Sequence, residues 1–296
     1  MNQSQLNPME ILRSLGVEDV QAVAPVHGGY DTAMWRVEAK GKAYALRVFR
    51  PEQQGVSALE SVAMEAAAAA GIAVPRVHAT GDWGGRPVML ISWCPGRPML
   101  EEALRQPWRM GSIAASFGRM QARLHGVTAP AALRGQRGDW QDWAGGSGDV
   151  ALQARLRALP QRRDVLIHLD YHPLNVLTDG TRVTAVIDWS NAHAGDPRAD
   201  VARTMTLLRL APANRGLQRI LSAPIRRVLA AGWLRGYTQV AGPLGDMAPF
   251  YTWAAAAMQA DMAAKIGRPG IELTHKDLEP IGRWVARWRQ RIRPPL

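Results

Sequence analysis

The segment His168-Leu-Asp-Tyr-His-Pro-Leu-Asn175 is the most informative part of this chain, and Ile187-Asp188-Trp189 belongs with it, Asp188 lying thirteen residues after Asn175. Residues 176–178 and 183–187 between them have the composition of short strands, and a glycine-containing turn signal separates the two. A hairpin at this position would return Asp188 to the neighbourhood of Asn175. The sequence therefore predicts that three polar side chains meet at the open end of two strands.

These three side chains have the chemistry that phosphoryl transfer from a nucleotide requires. Such a transfer needs one acceptor that orients the attacking hydroxyl, and oxygen ligands that hold Mg²⁺ on the phosphates. Asp170 fits the first role. Asn175 and Asp188 fit the second, because Mg²⁺ favours hard oxygen ligands and few protein contacts. Ordinary polar residues around a hairpin are the alternative, and the continuation to Gly195-Asp-Pro-Arg-Ala-Asp200 makes that alternative less favourable.

With this continuation the sequence resembles the aminoglycoside phosphotransferase and choline kinase-like small-molecule kinases, which are relatives of the protein kinases. The resemblance covers roughly residues 20–290 and is strongest between 166 and 202. It implies an α+β, bilobal protein-kinase-like fold, with a small antiparallel-sheet N-lobe and a larger, mostly helical C-lobe. It also implies ATP and Mg²⁺ as cofactors and a hydroxyl group of a small molecule as the phosphoryl acceptor.

The order of the predicted elements agrees with that architecture. Residues 33–49 predict two strands around a Lys-Gly-Lys turn, a helical segment follows from Ser57 to about Ala70, and 87–93 predicts another strand. Cys94-Pro-Gly-Arg-Pro98 then interrupts regular structure, and the chain beyond it is mostly helical.

Three parts of the chain follow from this order. We expect an N-terminal nucleotide-binding lobe over residues 1–93 and a hinge over 94–98. A helical C-terminal lobe over 99–296 would carry the catalytic loop and the substrate site.

Two features of the N-terminal part could contact phosphates. Gly28 and Gly29 precede the first of the paired strands, where glycines let backbone N–H groups approach phosphate oxygens; a plain hairpin is the alternative. Arg47 occupies the position where protein kinases carry a lysine on the third strand. Arginine keeps the charge and can bind two phosphate oxygens at once, and an exposed strand arginine is the alternative. The chain has no G-x-x-x-x-G-K-[ST] loop.

The resemblance implies a helix carboxylate as the partner of Arg47. Glu60 stands at the position that matches the family pattern, with Glu65 as the second candidate. However, Ser57 and Glu60 also have the spacing of a capping box, in which Glu60 would bond back to the start of its own helix. We favour the pairing of Glu60 with Arg47.

The resemblance places adenine against main-chain groups after the 87–93 strand, namely the carbonyl of Ser92 and the N–H of Cys94. Because backbone atoms make these bonds, Cys94 indicates no thiol chemistry and is expected to be a small, half-buried side chain.

Structural roles are predicted for the polar residues around the catalytic segment. His168 and His172 are expected to shape the loop. Asp196 and Pro197 suit the N-cap and first position of a helix, and Asp200 would brace the loop. A further helix is predicted between Ser112 as N-cap and Gly126 as its end, with an apolar stripe of core residues: Ile113, Phe117, Met120 and Leu124.

Composition predicts a soluble enzyme. The chain of 296 residues lacks an apolar run near the ~20 residues of a membrane helix. Met1-Asn-Gln-Ser-Gln does not resemble a signal peptide, and the single cysteine excludes an internal disulfide, so we expect a cytoplasmic protein. A net charge of +11 could indicate nucleic acid, but the arginines are scattered apart from an amphipathic tail over 283–293. Nucleic-acid binding is therefore disfavoured, and the oligomeric state is not predicted.

The acceptor is not defined by the sequence. From residue 200 to 296 there are six acidic residues against fifteen Lys and Arg, which disfavours polycationic aminoglycosides slightly. The acidic residues that could still line a pocket there are Asp246, Asp261, Glu272, Asp277 and Glu279. A macrolide, a choline-like amine, a sugar or an amino-acid alcohol stays possible. A catalytically weak nucleotide-binding scaffold is one alternative. A protein kinase is another, disfavoured because the chain lacks an A-P-E signal.

Overall fold

A five-stranded antiparallel sheet forms the N-terminal part of the protein, seen in a computed structural model that describes residues 6–26, 32–136, 138–145, 149–212, 222–268 and 272–292. Its strands stand in the order β1-β2-β3-β5-β4. Their bounds are β1 Val20–Val26, β2 Ala33–Ala39, β3 Lys42–Val48, β4 Val77–Trp83 and β5 Arg86–Ser92. The strands predicted over 33–49 and 87–93 are thus present.

Strands β3 and β5 are buried on both faces because a helix covers each side of the sheet. Successive strand side chains point to opposite faces. Leu46 and Leu90 therefore pack with Ile11 of helix α1 (Pro8–Ser14) on one face. Ala45 and Met89 belong to the larger core on the other face, which includes side chains of helix α2 (Gln54–Ala69).

Helix α2 begins three residues before the predicted start. Ser57 lies inside its first turn and donates its hydroxyl to the carbonyl of Gln54 at 3.0 Å. The capping box proposed for Ser57 and Glu60 is therefore wrong, because neither residue stands at the end of the helix. The Glu60 side chain is fully buried and directed elsewhere.

Eight helices follow the sheet among the described residues. They are α3 Met99–Arg105, α4 Met110–Leu124, α5 Ala131–Gln136, α6 Val150–Ala158, α7 Pro197–Leu210, α8 Ala223–Ala241, α9 Ala248–Ala263 and α10 His275–Arg289. Together with the antiparallel sheet they confirm the predicted α+β class. None of the described helices is long and apolar enough to cross a membrane.

Helix α4 is the long helix expected between residues 112 and 126, and its apolar stripe lies in the core as predicted. Ile113, Phe117 and Leu124 are buried, and Met120 is partly buried against them. The helix starts at Met110, however, so Ser112 is not its N-cap. The Ser112 hydroxyl bonds back to the carbonyl of Arg109 at 2.8 Å.

Two small sheets position the segment over residues 168–175. Strand β7 (Val165–Ile167) pairs with β10 (His193–Gly195), and β8 (Val176–Thr178) pairs with both β9 (Val183–Val186) and the two-residue β6 (Arg97–Pro98). The antiparallel register of β8 and β9 sets Val176 opposite Val186. The predicted hairpin is therefore confirmed. It brings the residues that follow β9 beside those that precede β8.

The C-terminal helix α10 covers the predicted amphipathic tail as far as Arg289 and begins earlier, at a capping box formed by Thr274 and Asp277. Trp284, Trp288 and Ile292 pack against the main core, as the four-residue spacing predicted. The arginines between them face outward, since Arg283, Arg287 and Arg291 are exposed.

Candidate functional site

The Asp170 side chain is presented by a tight loop between β7 and β8. Leu169, the residue before it, has a left-handed backbone with φ of 58°. That conformation costs a residue with a Cβ roughly 1–2 kcal/mol, so contacts around the loop must hold it. The Asp170 side chain remains 25% exposed. It can therefore be reached by a ligand while its backbone is fixed.

The charges around Asp170 keep its carboxyl group ionised. Enclosure by the protein would raise the pKa, but the neighbouring His172 imidazole, then Arg203 and His168, outweigh that effect and hold the pKa of Asp170 well below its ordinary value. His172 Nε2 lies 3.6 Å from a carboxylate oxygen of Asp170. An ionised carboxylate is the form that can accept a hydrogen bond from a hydroxyl group.

Asn175 and Asp188 come together because the hairpin pairs the segments that carry them. The Ile187 N–H donates to the main-chain carbonyl of Asn175 at 2.9 Å, one residue before Asp188. Asp188 itself has a left-handed backbone, with φ of 62°, and a side chain that is 46% exposed. Strained residues of this kind cluster at binding sites. The Ser190 hydroxyl donates to one Asp188 oxygen at 2.9 Å.

The donor atoms of this pair suit Mg²⁺. The side-chain nitrogen of Asn175 donates to the main-chain carbonyl of Asp170 at 3.1 Å and to its carboxylate at 3.2 Å. That orientation leaves the side-chain oxygen of Asn175 as the atom for a cation. Together with the Asp188 carboxylate, this atom would provide one amide oxygen and one carboxylate oxygen as ligands. Mg²⁺ is commonly bound through few protein oxygens together with substrate phosphates.

Arg47 joins the sheet to this pair. Its guanidinium forms an ion pair with Glu60 and lies 4.0 Å from an oxygen of Asp188. Burial opposes the charge, but the carboxylates of Glu60 and Asp188 outweigh it and raise the pKa of Arg47 above its ordinary value. Glu65 instead accepts a hydrogen bond from Ser61 at 3.2 Å. The structure therefore places Glu60, and not Glu65, against Arg47.

Glu60 also contacts the segment that carries Asp188. The same oxygen that pairs with Arg47 accepts the main-chain N–H of Trp189 at 3.2 Å. Helix α2, strand β3 and the residues after β9 are thus connected through one buried carboxylate. The contact with Trp189 was not predicted, since the two residues are far apart in the chain.

The residues predicted to contact adenine lie at the end of a central strand. Ser92 is the last residue of β5, and the Cys94 thiol lies 3.9 Å from the Ser92 carbonyl oxygen. Burial raises the pKa of this thiol to about 11, so it is not a thiolate at neutral pH. Among the described residues nothing accepts a hydrogen bond from the Cys94 N–H. Gly28 and Gly29 lie outside the described residues.

The predicted bracing of the loop by Asp200 is present. Its two carboxylate oxygens accept the N–H groups of His168, at 3.2 Å, and Leu169, at 2.6 Å. The His168 ring lies 3.2 Å from the carbonyl of Ile187 and so connects the loop to the hairpin. Asp196 caps helix α7, with Pro197 at its first position, as the sequence predicted. These residues therefore have structural roles around the site, as predicted.

A buried polar network behind Asp200 was not predicted. Gln121 of α4 and His125, the residue that follows this helix, both lie within hydrogen-bond distance of one Asp200 oxygen, at 3.1 and 2.9 Å. From α7, Thr204 donates to the carbonyl of Tyr171 at 2.9 Å and Arg203 to that of Leu169 at 3.2 Å. Arg203 and Thr204 follow Asp200 by three and four residues, a helical spacing that could have placed them on the same face.

Comparison with known proteins assigns the chain to a family. The model of the phosphotransferase enzyme family, APH, matches residues 22–243. The chain belongs to this family. The phosphotransferase resemblance of the sequence is thereby confirmed.

Curated relatives match only in part. Acyl-CoA dehydrogenase family member 10 of Mus musculus is 30% identical over 165 residues, which is 47% of this chain and 15% of that protein. Hygromycin-B 4-O-kinase of Escherichia coli is 57% identical over 37 residues, 12% of this chain and 11% of that protein. The chain thus aligns with less than a sixth of the length of either relative.

The similarity of fold extends over nearly the whole chain. A crystal structure of a thermostable mutant of the aminoglycoside phosphotransferase APH(4)-Ia, a ternary complex with ADP and hygromycin B, superposes with a TM-score of 0.66. The alignment covers 95% of this chain and 97% of that one at 19% identity. At this identity the likeness establishes the shared protein-kinase-like fold.

Proposed function

We propose that this phosphotransferase-family protein moves the γ-phosphoryl group of ATP, bound with Mg²⁺, to a hydroxyl group of a small molecule. The observation that supports this most directly is the Asn175 carboxamide. Its nitrogen bonds to Asp170, and its chain segment is paired with that of Asp188. One side chain thus links the proposed acceptor of the substrate proton to the proposed metal ligands.

In this mechanism Asp170 accepts a hydrogen bond from the substrate hydroxyl, orients it and takes its proton. Asn175 keeps the Asp170 carboxylate in place and, with Asp188, would hold Mg²⁺. The bound cation would neutralise charge on the phosphates during transfer. Each of the three side chains has one task, and the segments that carry them meet at the open end of the hairpin.

The nucleotide is assigned to the sheet. Residues 1–93 form the nucleotide-binding lobe in this proposal, 94–98 the hinge and 99–296 the lobe that binds the acceptor. Arg47, oriented by Glu60, would contact phosphate oxygens together with the backbone of Gly28 and Gly29. The carbonyl of Ser92 and the N–H of Cys94 would bond to adenine, and no acceptor for that N–H lies among the residues that the structure describes.

The contacts of the acidic residues argue against a polycationic acceptor. Asp261 and Glu279 each pair with a basic residue one turn further along their helices, at 2.7 and 3.3 Å. Asp246 and Asp277 accept main-chain N–H groups at helix starts. Four carboxylates that could receive ammonium groups thus have local partners. We infer a hydroxylated acceptor with few positive charges.

The decisive experiment measures Mg²⁺-dependent ATP turnover with wild type and Asp170→Ala against hydroxylated small molecules: aminoglycosides, macrolides, choline, sugars and homoserine. We expect one class to stimulate turnover in wild type. The variant should lose about 10²–10⁴-fold, the usual contribution of a positioned acid or base. Asn175 still has the main-chain carbonyl of residue 170 as an acceptor in this variant, so nucleotide affinity should change little.

Two outcomes would contradict the proposal. Unchanged turnover in Asp170→Ala would remove Asp170 from the reaction. ATP binding without a stimulated rate for any acceptor would favour a nucleotide-binding scaffold instead.

A further inference from the structure

A buried arginine stands behind the catalytic loop. Arg203 lies on helix α7 and is 5% exposed, and its Nε donates to the main-chain carbonyl of Leu169 at 3.2 Å. A guanidinium removed from water is costly unless it is paired and hydrogen-bonded. Its position next to the proposed catalytic residue therefore requires an explanation.

Side chains of α7 bind both main-chain polar groups of Leu169. Asp200 accepts the Leu169 N–H at 2.6 Å, and Arg203 donates to the carbonyl of the same residue. Leu169 is the left-handed residue that precedes Asp170. Because its N–H and its carbonyl are both bound by α7, the peptide plane that leads into Asp170 has a fixed orientation.

The charges around Arg203 fit this position. Burial lowers its pKa, and the carboxylates of Asp170, Asp261 and Asp200 act in the opposite direction. Asp170 is thus flanked by the Arg203 guanidinium on the α7 side and by His172 and His168 within its own loop.

We propose that Arg203 is a positioning residue for Asp170, which fixes the left-handed turn at Leu169 and so aims the carboxylate at the acceptor hydroxyl. This inference rests on the proposed function for its kinetic consequence. Its structural consequence is that contacts from α7 fix the turn at Leu169. This can be measured without an activity assay.

Arg203→Met is the informative variant, and Arg226→Met is its matched control. Arg226 is also a buried arginine, on α8, and donates to a main-chain carbonyl, that of Leu208, at 3.3 Å. Both variants remove a guanidinium–carbonyl contact, but only Arg203 contacts the catalytic loop. We expect kcat to fall about tenfold to a hundredfold in Arg203→Met, as for a reacting group displaced by a fraction of an ångström to an ångström. KM for ATP should stay within twofold, and kcat of Arg226→Met should stay within twofold of wild type.

Arg203→Lys tests the same contact in a variant that keeps the positive charge and the fold. Its kcat should lie between those of wild type and Arg203→Met. Hydrogen–deuterium exchange of residues 168–171 should be faster in both Arg203 variants than in Arg226→Met, whether or not an acceptor has been found. Unchanged exchange in this segment would overturn the proposal. Equal losses of kcat in the Arg203 and Arg226 variants would do the same, whereas a silent wild-type enzyme would count against the proposed function alone.

Discussion

Among the carboxylates of the site, exposure separates those proposed to meet ligands from those that orient other groups. The side chains of Asp170 and Asp188 are 25% and 46% exposed, whereas those of Glu60 and Asp200 are fully buried. The buried carboxylates bind arginine, histidine or main-chain N–H groups. A buried carboxylate requires such partners. Of these four carboxylates, only Asp170 and Asp188 are therefore open to ligands.

Asp188→Asn tests this division at the level of one residue. Because Asp188 is exposed, the unliganded variant should unfold at the same temperature as wild type. Mg²⁺-ATP at a hundred times its Kd should stabilise wild type by about 2.7 kcal/mol, and much less of this should be seen in the variant. Differential scanning calorimetry with and without Mg²⁺-ATP measures both. An equal ligand-induced shift in the two proteins would remove Asp188 from the metal site.

At the scale of elements, helices α4 and α8 approach each other closely through glycines. A Cβ on Gly118 would lie 2.0 Å from the carbonyl oxygen of Trp233, and one on Gly236 would lie 2.0 Å from that of Ala115. Both contacts are with backbone and cannot be relieved by a rotamer change. The close approach brings Gln121 of α4 and His125, the residue after α4, to Asp200, and sets the His125 ring 2.7 Å from the hydroxyl of Tyr237 of α8.

Gly118→Ala should therefore be destabilising, although alanine is the better helix former by about 1 kcal/mol. We expect a loss of about 3 kcal/mol or more, the upper end of the cost of overpacking a core. Gly111→Ala in the same helix is the control, because the nearest atom to its added Cβ is the flexible end of Arg235 at 3.7 Å. Urea unfolding of the two variants gives the difference. Equal stability would mean that the two helices can separate at little cost.

At the scale of the whole molecule, the network around Asp200 connects helices that lie far apart in the sequence to the loop that carries Asp170. Burial would raise the pKa of Asp200, but hydrogen bonds and charges from His125, His168 and Gln121 outweigh it, so the pKa lies below its ordinary value. A depressed carboxyl pKa stabilises the fold above the pKa of the unfolded chain, about 3.9. That contribution is lost as the pH falls through the lower, folded-state value.

Asp200→Asn should accordingly lower the free energy of unfolding at neutral pH by about 3 kcal/mol, as for breaking a buried charge pair. The difference from wild type should be constant above pH ~4 and should shrink below it. Urea unfolding over a pH series measures this. A difference that grows on acidification would have the wrong sign for a carboxylate with a depressed pKa.

Local pattern was sufficient where neighbours in the chain set the structure. The β8–β9 hairpin and the cap at Asp196 depend on residues a few positions apart, and the stripe of α4 depends on helical periodicity. Each was predictable for that reason. The same local reasoning failed at Ser57 and Ser112, because a serine near a helix start can cap the helix or lie within its first turn with equal ease.

Tertiary structure decided the contacts between distant segments. Glu60 binds the N–H of Trp189, and Arg203 and Asp200 bind the two sides of Leu169. Each pair is separated by many residues, and which groups meet depends on how helices pack against sheet and loop. The linear order of residues therefore determined the protein's family, its strand–helix order and the chemistry of Asp170, Asn175 and Asp188. Only the folded chain decided how those groups are held, since the sequence does not show which side chain will bind a given main-chain N–H or carbonyl group.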